Sequence, residues 1–151
     1  MKTSINGLNL IKSTEGLRLV PYNDATGNAT VGYGHLLHHG PLNGTEQSVT
    51  EDQAESLLHL DAFRRAEVYV NEYVFAPLNQ NQYDALVSFC YNVGPADLKI
   101  VVSETGLNQG DYQNVPPKIL LYDKARNQQG RLVSLPGLTK RRQQEAALFQ
   151  S

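Results

Sequence analysis

With a single cysteine, Cys90, in 151 residues, the chain can form no intrachain disulfide. It is therefore compatible with folding in a reducing cytoplasm. Cys90 lies in the run Leu86-Val87-Ser88-Phe89-Cys90-Tyr91, where it reads as a small buried apolar residue rather than a reactive thiol. Charge of one sign is also missing: thirteen Lys and Arg stand against fifteen Asp and Glu, a net of −2. That excludes a global basic field for nucleic acid, and attraction to an anionic polymer must come from local patches. No window approaches the ~18 apolar residues of a membrane span, so membrane insertion is not expected. The stretch Met1–Gly7 lacks an apolar core of signal-peptide length, which leads to the expectation of cytoplasmic synthesis without a leader. Repeats and low-complexity segments are absent, and nothing in the sequence calls for a cofactor or a metal ion. What remains is an ordinary globular composition, 40% hydrophobic and 19% charged. A chain this long fits one compact domain or two small lobes and can bury most of its unfolded surface unaided.

The pattern along the chain predicts a mainly helical protein. Ile5, Leu8 and Ile11 recur at helical spacing between Ser4 and about Thr14, and Gly16 follows as a C-terminal stop. Residues 17–34 read as a small antiparallel sheet, with Leu19–Tyr22 and Thr30–Tyr33 flanking a turn-rich Asp24–Asn28. His38–Gly44 reads as a loop. Thr50 and Gln53 form a capping box that opens a helix to about Tyr73, long enough to join two lobes. Asn79 and Gln82 give a second capping signal. The helix after it is apolar nearly all round, as a buried core element is. Asn92-Val93-Gly94-Pro95 stops it. The remainder reads as short helices: one before Asn108-Gln109-Gly110, one near Pro116-Pro117, and one after Thr139. The fold class is α+β, with one small N-terminal sheet.

The informative stretch runs from Glu15 to His35. Glu15 falls at a helix end, while Asp24 and Thr30 fall on or beside a hairpin. Nine positions separate the two carboxylates, enough to place them on opposite sides of a cleft. Gly27, Gly32 and Gly34 relieve crowding where backbone turns or approaches a ligand. Two carboxylates in unlike environments can hold different protonation states at one pH. Glycoside hydrolysis needs that: one acid for the leaving oxygen and one base or nucleophile. Taken singly, each residue has an ordinary structural reading: surface carboxylates, a strand threonine, a hydrogen-bonded histidine.

The whole pattern is more specific. Glu15-Gly16, then Tyr22-Asn23-Asp24, then Gly27 through Thr30 to Gly32-Tyr33-Gly34-His35 resembles the phage-type lysozyme (endolysin) family. Gln82–Gly94 resembles the central core helix of that family. Leu107-Asn108-Gln109-Gly110-Asp111-Tyr112 and Pro136-Gly137-Leu138-Thr139-Lys140-Arg141-Arg142-Gln143-Gln144-Glu145 resemble two later segments, in the right order. The resemblance implies a lysozyme-like fold of two lobes joined by a long helix, all within residues 1–151. The sheet-containing lobe would span about 15–50. The helical lobe would span about 70–151 plus the N-terminal helix. It implies a muramidase cutting the β-1,4 bond between N-acetylmuramic acid and N-acetylglucosamine. Matched by position, Glu15 is the general acid, Asp24 the second carboxylate and Thr30 the holder of the attacking water. An inverting course follows for Asp24 acting on water, with the carboxyls roughly 6.5–9.5 Å apart. His35, Leu36, Tyr91, Asn92 and Arg142 are supporting or substrate-contacting candidates. Arg142 is the basic residue expected to pair with Glu15, and both His35 and Arg142 read as structural supports first.

Leu121-Tyr122-Asp123-Lys124-Ala125 and Pro95–Val102 depart from the family pattern, and tryptophan is absent. Those departures bear on the far wall of a substrate groove. The stretch from Asp123 to Leu138 looks more like lysozymes of phage tails or injection systems. Bacterial peptidoglycan is the expected partner and a monomer the expected state, with an immunity or inhibitor protein if the chain is an injected effector. Release by a holin, or delivery by a tail or injection apparatus, would bring it to the wall. The competing reading is a repurposed, non-catalytic peptidoglycan-binding or scaffold domain on the same fold. Such a domain is free to lose Glu15, Asp24 or Thr30, and all three are present.

Overall fold

The computed structural model describes residues 1–151. Helix α1 (Ile5–Glu15) is capped by the Ser4 side chain and ended by Gly16 at φ 75°. Strands β1 (Arg18–Asn23), β2 (Ala29–Gly32) and β3 (His35–His38) follow as an antiparallel sheet in the order β1-β2-β3. The third strand was not expected as such: His35–His38 pairs with the far edge of β2, with Leu36 opposite Thr30.

The sequence's long helix is present from Glu51 to Tyr73, opened by the complete Thr50–Gln53 capping box. It is not uniform. Between α2 (Glu51–Ala62) and α3 (Val68–Tyr73), residues Phe63–Glu67 form a π-helical turn. Its Arg65 carbonyl accepts from the Cys90 thiol at 3.3 Å. One extra residue per turn there changes the direction of Arg65, which donates to the carbonyls of Gly34 (3.2 Å) and Tyr91 (2.8 Å). The rod meets the sheet through α2 and the helical body through its later part.

Helix α4 (Gln80–Val93), behind the Asn79–Gln82 capping box, carries nine consecutive buried residues from Tyr83 to Tyr91. This all-round burial is what its apolar composition predicts. It packs against α1, α5 (Pro95–Thr105), the π turn and α7 (Pro136–Phe149). The core gathers Leu8, Ile11, Leu58, Leu86, Phe89, Leu98, Val101 and Ile119 about it. Two short 3₁₀ turns and α6 (Val115–Leu120) complete the body.

Two expectations for the C-terminal third need correction. The stretch before the last helix is not purely helical: β4 (Lys124–Arg126) and β5 (Leu132–Ser134) form a hairpin. Its turn is held by Asn127, whose side-chain oxygen accepts from the N–H groups of Gln129 and Arg131, with Gly130 at φ 76°. Strands of three residues are too short to display an alternating pattern. The last helix also starts earlier than expected, at Pro136 rather than after Thr139. Proline suits this first turn because its missing N–H would be unpaired there anyway. No helix is long and apolar enough to cross a membrane.

Candidate active site

Glu15 is the last residue of α1, and the turn at Gly16 sends the chain directly into β1. Its Oε1 accepts from Arg141 Nη1 at 2.6 Å. Its Oε2 lies against Gly34, where an added Cβ would come within 3.0 Å of that oxygen. Gly34 also sits at φ 78°, so glycine is required twice over: by conformation and by the approach of the carboxylate. The Glu15 side chain is 21% exposed and that of Arg141 only 5%. Arg141 is fixed in turn by donating Nη2 to the Ser88 carbonyl on α4, at 3.2 Å.

Asp24 heads the turn between β1 and β2. Its Oδ1 accepts three hydrogen bonds: from Thr26 N–H (2.9 Å), Thr26 hydroxyl (2.8 Å) and Asn28 N–H (2.9 Å). The Asn28 N–H is the main cause of a carboxyl held below the ordinary aspartate range, helped by Thr26. Thr30 lies on β2, paired across the sheet with Tyr22, and is 3% exposed. Its hydroxyl donates to the Asn28 carbonyl at 2.9 Å, so its oxygen is left to accept. Tyr22, on β1, lies within the electrostatic reach of both carboxylates. Burial raises its phenol first, and the negative fields of both Glu15 and Asp24 add to the rise. Strand β1 connects the helix-end carboxylate to the turn carboxylate.

Beside Glu15 opens a pocket of about 510 Å³, lined among others by Thr14, Asn92, Gly137, Arg141 and Gln144. A more apolar pocket of about 580 Å³ is bounded by Leu37, Val49, Leu57 and Leu60, and none of the candidate residues line it. Of the candidate residues, Glu15 and Asn92 line the smaller, more polar space.

The family model described as phage lysozyme matches residues 12–145 of this chain. The chain belongs to the phage lysozyme family. The endolysin of Acyrthosiphon pisum secondary endosymbiont phage 1 is 39% identical over 151 residues, covering all of this chain and 99% of that one. Among solved structures, the endolysin from Escherichia coli O157:H7 phage FAHEc1 matches at a TM-score of 0.86 and 32% identity, over 99% of this chain and 93% of that chain. The muramidase domain of SpmX from Asticaccaulis excentricus matches at 0.84 and 34%, over 99% and 98%. The lysozyme-like, α+β architecture expected from the sequence is the one present. The enzyme is accordingly a lysozyme-type glycoside hydrolase, a muramidase acting on bacterial peptidoglycan.

Within the enzyme, the supporting candidates fall in different places. His35 Nδ1 meets Asp61 Oδ2 at 2.9 Å and ties β3 to α2. Leu36 is exposed on β3. Tyr91 is buried. Its hydroxyl donates to the Tyr33 carbonyl at 2.9 Å, and its ring lies 3.9 Å from the Arg65 guanidinium. Asn92 is exposed and lines the pocket beside Glu15. Burial pushes the Cys90 thiol up to about 12, which keeps it protonated and unreactive.

Arg142 does not pair with Glu15, and that expectation is corrected: the partner is Arg141. Successive residues on a helix point about 100° apart, so only one of two adjacent arginines can reach the cleft. Arg142 turns inward instead. Its Nε donates to Glu145 Oε1 at 2.7 Å, its Nη1 reaches the Tyr122 carbonyl at 3.3 Å, and its guanidinium lies 5.1 Å from the Phe89 ring. Burial raises the Glu145 carboxyl, and the guanidiniums of Arg142 and Arg141 pull the other way. Tyr22, Ser88 and Glu145 entered the sequence reading only as members of longer segments, with no role of their own. Gly34 was one of the three glycines read as relieving crowding near a ligand.

The pairing with Glu15 gives Arg141 a testable role. Arg141→Ala should lower the maximum rate roughly tenfold by loosening Glu15. It should also carry the basic limb of the pH–rate profile upward, because a cation at hydrogen-bond distance favours the ionised carboxyl. Wall-lysis rates across pH, with circular dichroism to verify folding, check both parts. A basic limb that stays put or moves down would contradict this role.

Proposed function

We propose that Glu15 is the general acid and Asp24 the general base of an inverting muramidase, with Thr30 holding the nucleophilic water. The observation that carries this reading is the unlike hydrogen bonding of the three groups. Asp24 Oδ1 is filled by three donors while Oδ2 has no protein partner. The carboxyl is biased toward the anion, as a base requires. Thr30 spends its only proton on Asn28, so its oxygen can accept one from water. A water giving one hydrogen to Thr30 and the other to Asp24 keeps a lone pair free for the sugar.

In the reaction, that water attacks the anomeric carbon of the N-acetylmuramic acid residue from the face opposite the leaving group. Asp24 takes its proton as the new C–O bond forms. The glycosidic C–O bond breaks, and Glu15 supplies a proton to the departing oxygen of N-acetylglucosamine. Room for a water between the carboxyls distinguishes this course from a covalent one, which needs them closer together. The fresh reducing end should accordingly be the α anomer from a β-linked wall. NMR of the product within the first turnovers tests this, and a β product would overturn the inverting reading.

The unit carrying this activity is residues 1–151, with a sheet-containing lobe at about 15–50 and a helical lobe formed by about 70–151 with the N-terminal helix. A monomer suffices, since every proposed catalytic group comes from one chain. The target is the bacterial wall, reached by holin release or by a tail or injection apparatus. An immunity or inhibitor protein belongs to the injected case. A purely binding role is less favoured, because Glu15, Asp24 and Thr30 are retained in environments suited to catalysis.

A further inference from the structure

We propose that Glu145 is a positioning and charge-balancing residue: it offsets the adjacent guanidiniums of Arg141 and Arg142, so that Arg141 can orient Glu15 without stripping its proton. The proposal rests on the reading of Glu15 as the general acid.

The difficulty it resolves is electrostatic. A general acid must keep its proton, and a guanidinium 2.6 Å away favours the anion. A second cation, Arg142, follows Arg141 on α7 and adds its positive charge behind it. Both arginines are shielded from water, with side chains 5% and 0% exposed. Their fields are therefore weakly screened. Both cations favour an anion over the protonated acid that the proposed reaction needs.

Glu145, itself fully buried, lies one helical turn further along α7, at i+3 from Arg142 and i+4 from Arg141. It binds Arg142 with both oxygens, Nε to Oε1 at 2.7 Å and Nη2 to Oε2 at 3.3 Å. Its contact with Arg141 is of another kind. Arg141 Nε is 3.8 Å from Glu145 Oε1, and it is the buried side-chain nitrogen or oxygen that has no hydrogen-bond partner. At that distance Glu145 lends charge without holding the fork. Arg141 keeps Nη1 for Glu15 and Nη2 for the Ser88 carbonyl. A hydrogen bond from Nε to Glu145 would turn the guanidinium toward the interior. When ionised, Glu145 offsets one of the two positive charges behind Glu15 and leaves the orientation of Arg141 intact; burial raises its own carboxyl to about 7, so the balance is complete only above that pH.

The other groups around the two carboxyls do not supply this balance. Glu145 otherwise faces Ser88 from α4, while Arg142 is backed by the Phe89 ring and the Tyr122 carbonyl. Glu15 faces Tyr22 from β1 and Tyr91 from α4, both phenols, with the Asp24 carboxylate beyond Tyr22. The mechanism proposed above gives Glu145 no part in binding substrate or moving a proton.

The test is the pH–rate profile of wall lysis for wild type, Glu145→Gln, Arg142→Gln and the double variant, beside Glu15→Gln. Glu145→Gln keeps the shape and an acceptor oxygen but removes the charge. Its basic limb should move down by about one pH unit, while the acid limb set by Asp24 stays in place. Activity well below the basic limb should remain within a few-fold of wild type. Removing Arg142 as well should carry the basic limb back toward wild type. A merely structural Glu145 would lower the rate evenly at all pH values and would not be rescued by the second change. A folded Glu145→Gln enzyme with an unmoved basic limb overturns the proposal. Should that variant fail to fold, Arg142→Gln alone decides: leaving Glu145 to face Arg141 alone should move the basic limb up, and no upward movement overturns the proposal. If Glu15→Gln is inactive while these limbs stay put, only the role of Glu145 falls. If Glu15→Gln remains active, the acid assignment falls and this proposal with it.

Discussion

Glu15→Gln is expected to abolish wall lysis while leaving the fold intact. An amide preserves the shape of the side chain, and its oxygen can still accept from Arg141 Nη1, as the carboxylate does at 2.6 Å. The end of α1, the Gly16 turn and the packing of Gly34 against the side chain have no reason to move. What is lost is the proton for the leaving oxygen. Removing general acid catalysis should cost at least ~10²-fold in rate, and a larger loss is expected because an N-acetylglucosamine oxygen leaves poorly unprotonated. The measurement is release of soluble fragments from purified walls, with thermal unfolding and circular dichroism as folding controls. A folded variant within a few-fold of wild type would show that the proton comes from elsewhere.

Asp24→Asn should be comparably damaging for a different reason. The three hydrogen bonds that organise the β1–β2 turn all end on one oxygen, Oδ1. The amide oxygen of asparagine can take them over, so the turn should survive. The amide nitrogen then replaces Oδ2, and it donates where a base must accept. Water activation should fall by at least ~10²-fold, within the range ascribed to a positioned base. The same geometry fixes the direction of the acid limb in the wild type. The proposed mechanism requires the Asp24 anion, and the three donors hold its carboxyl below the usual range. As pH falls, the rate should therefore persist to lower pH than an ordinary aspartate would allow, and fall only as Asp24 gains its proton. An acid limb at or above the ordinary aspartate range would contradict this assignment, as would an Asp24→Asn enzyme that retains its rate.

Local chemistry made much of this molecule legible in advance. Thr50–Gln53 and Asn79–Gln82 announce helix starts because a side chain and a backbone N–H three residues away satisfy each other without help from the rest of the fold. The buried helix Gln80–Val93 is legible because, from Ala85 to Tyr91, only Ser88 interrupts a run of apolar and aromatic side chains. The π turn at Phe63–Glu67 is not legible, since its apolar pattern reads as ordinary helix. The Arg65 contacts to Gly34 and Tyr91 belong to partners distant in sequence. The β4–β5 hairpin escaped because three-residue strands carry too little pattern. Its turn chemistry, centred on Asn127 and Gly130, was the available signal.

The sequence by itself determined the candidate chemistry. Glu15, Asp24 and Thr30 are spaced along a helix end, a turn and a strand, and that covalent order holds whatever the packing. It also determined that a glycine-rich turn lies at the site, because Gly34 must adopt a positive φ. Only the tertiary structure decided which arginine serves Glu15. Arg141 and Arg142 are adjacent, identical in kind and only one position apart in their separation from Glu15 along the chain. The rotation of α7 against α4 sends Arg141 toward the cleft, anchored on Ser88, and sends Arg142 inward to Glu145. That rotation is set by which side chains of two helices interlock across the core, a property of the packed pair and not of either segment alone.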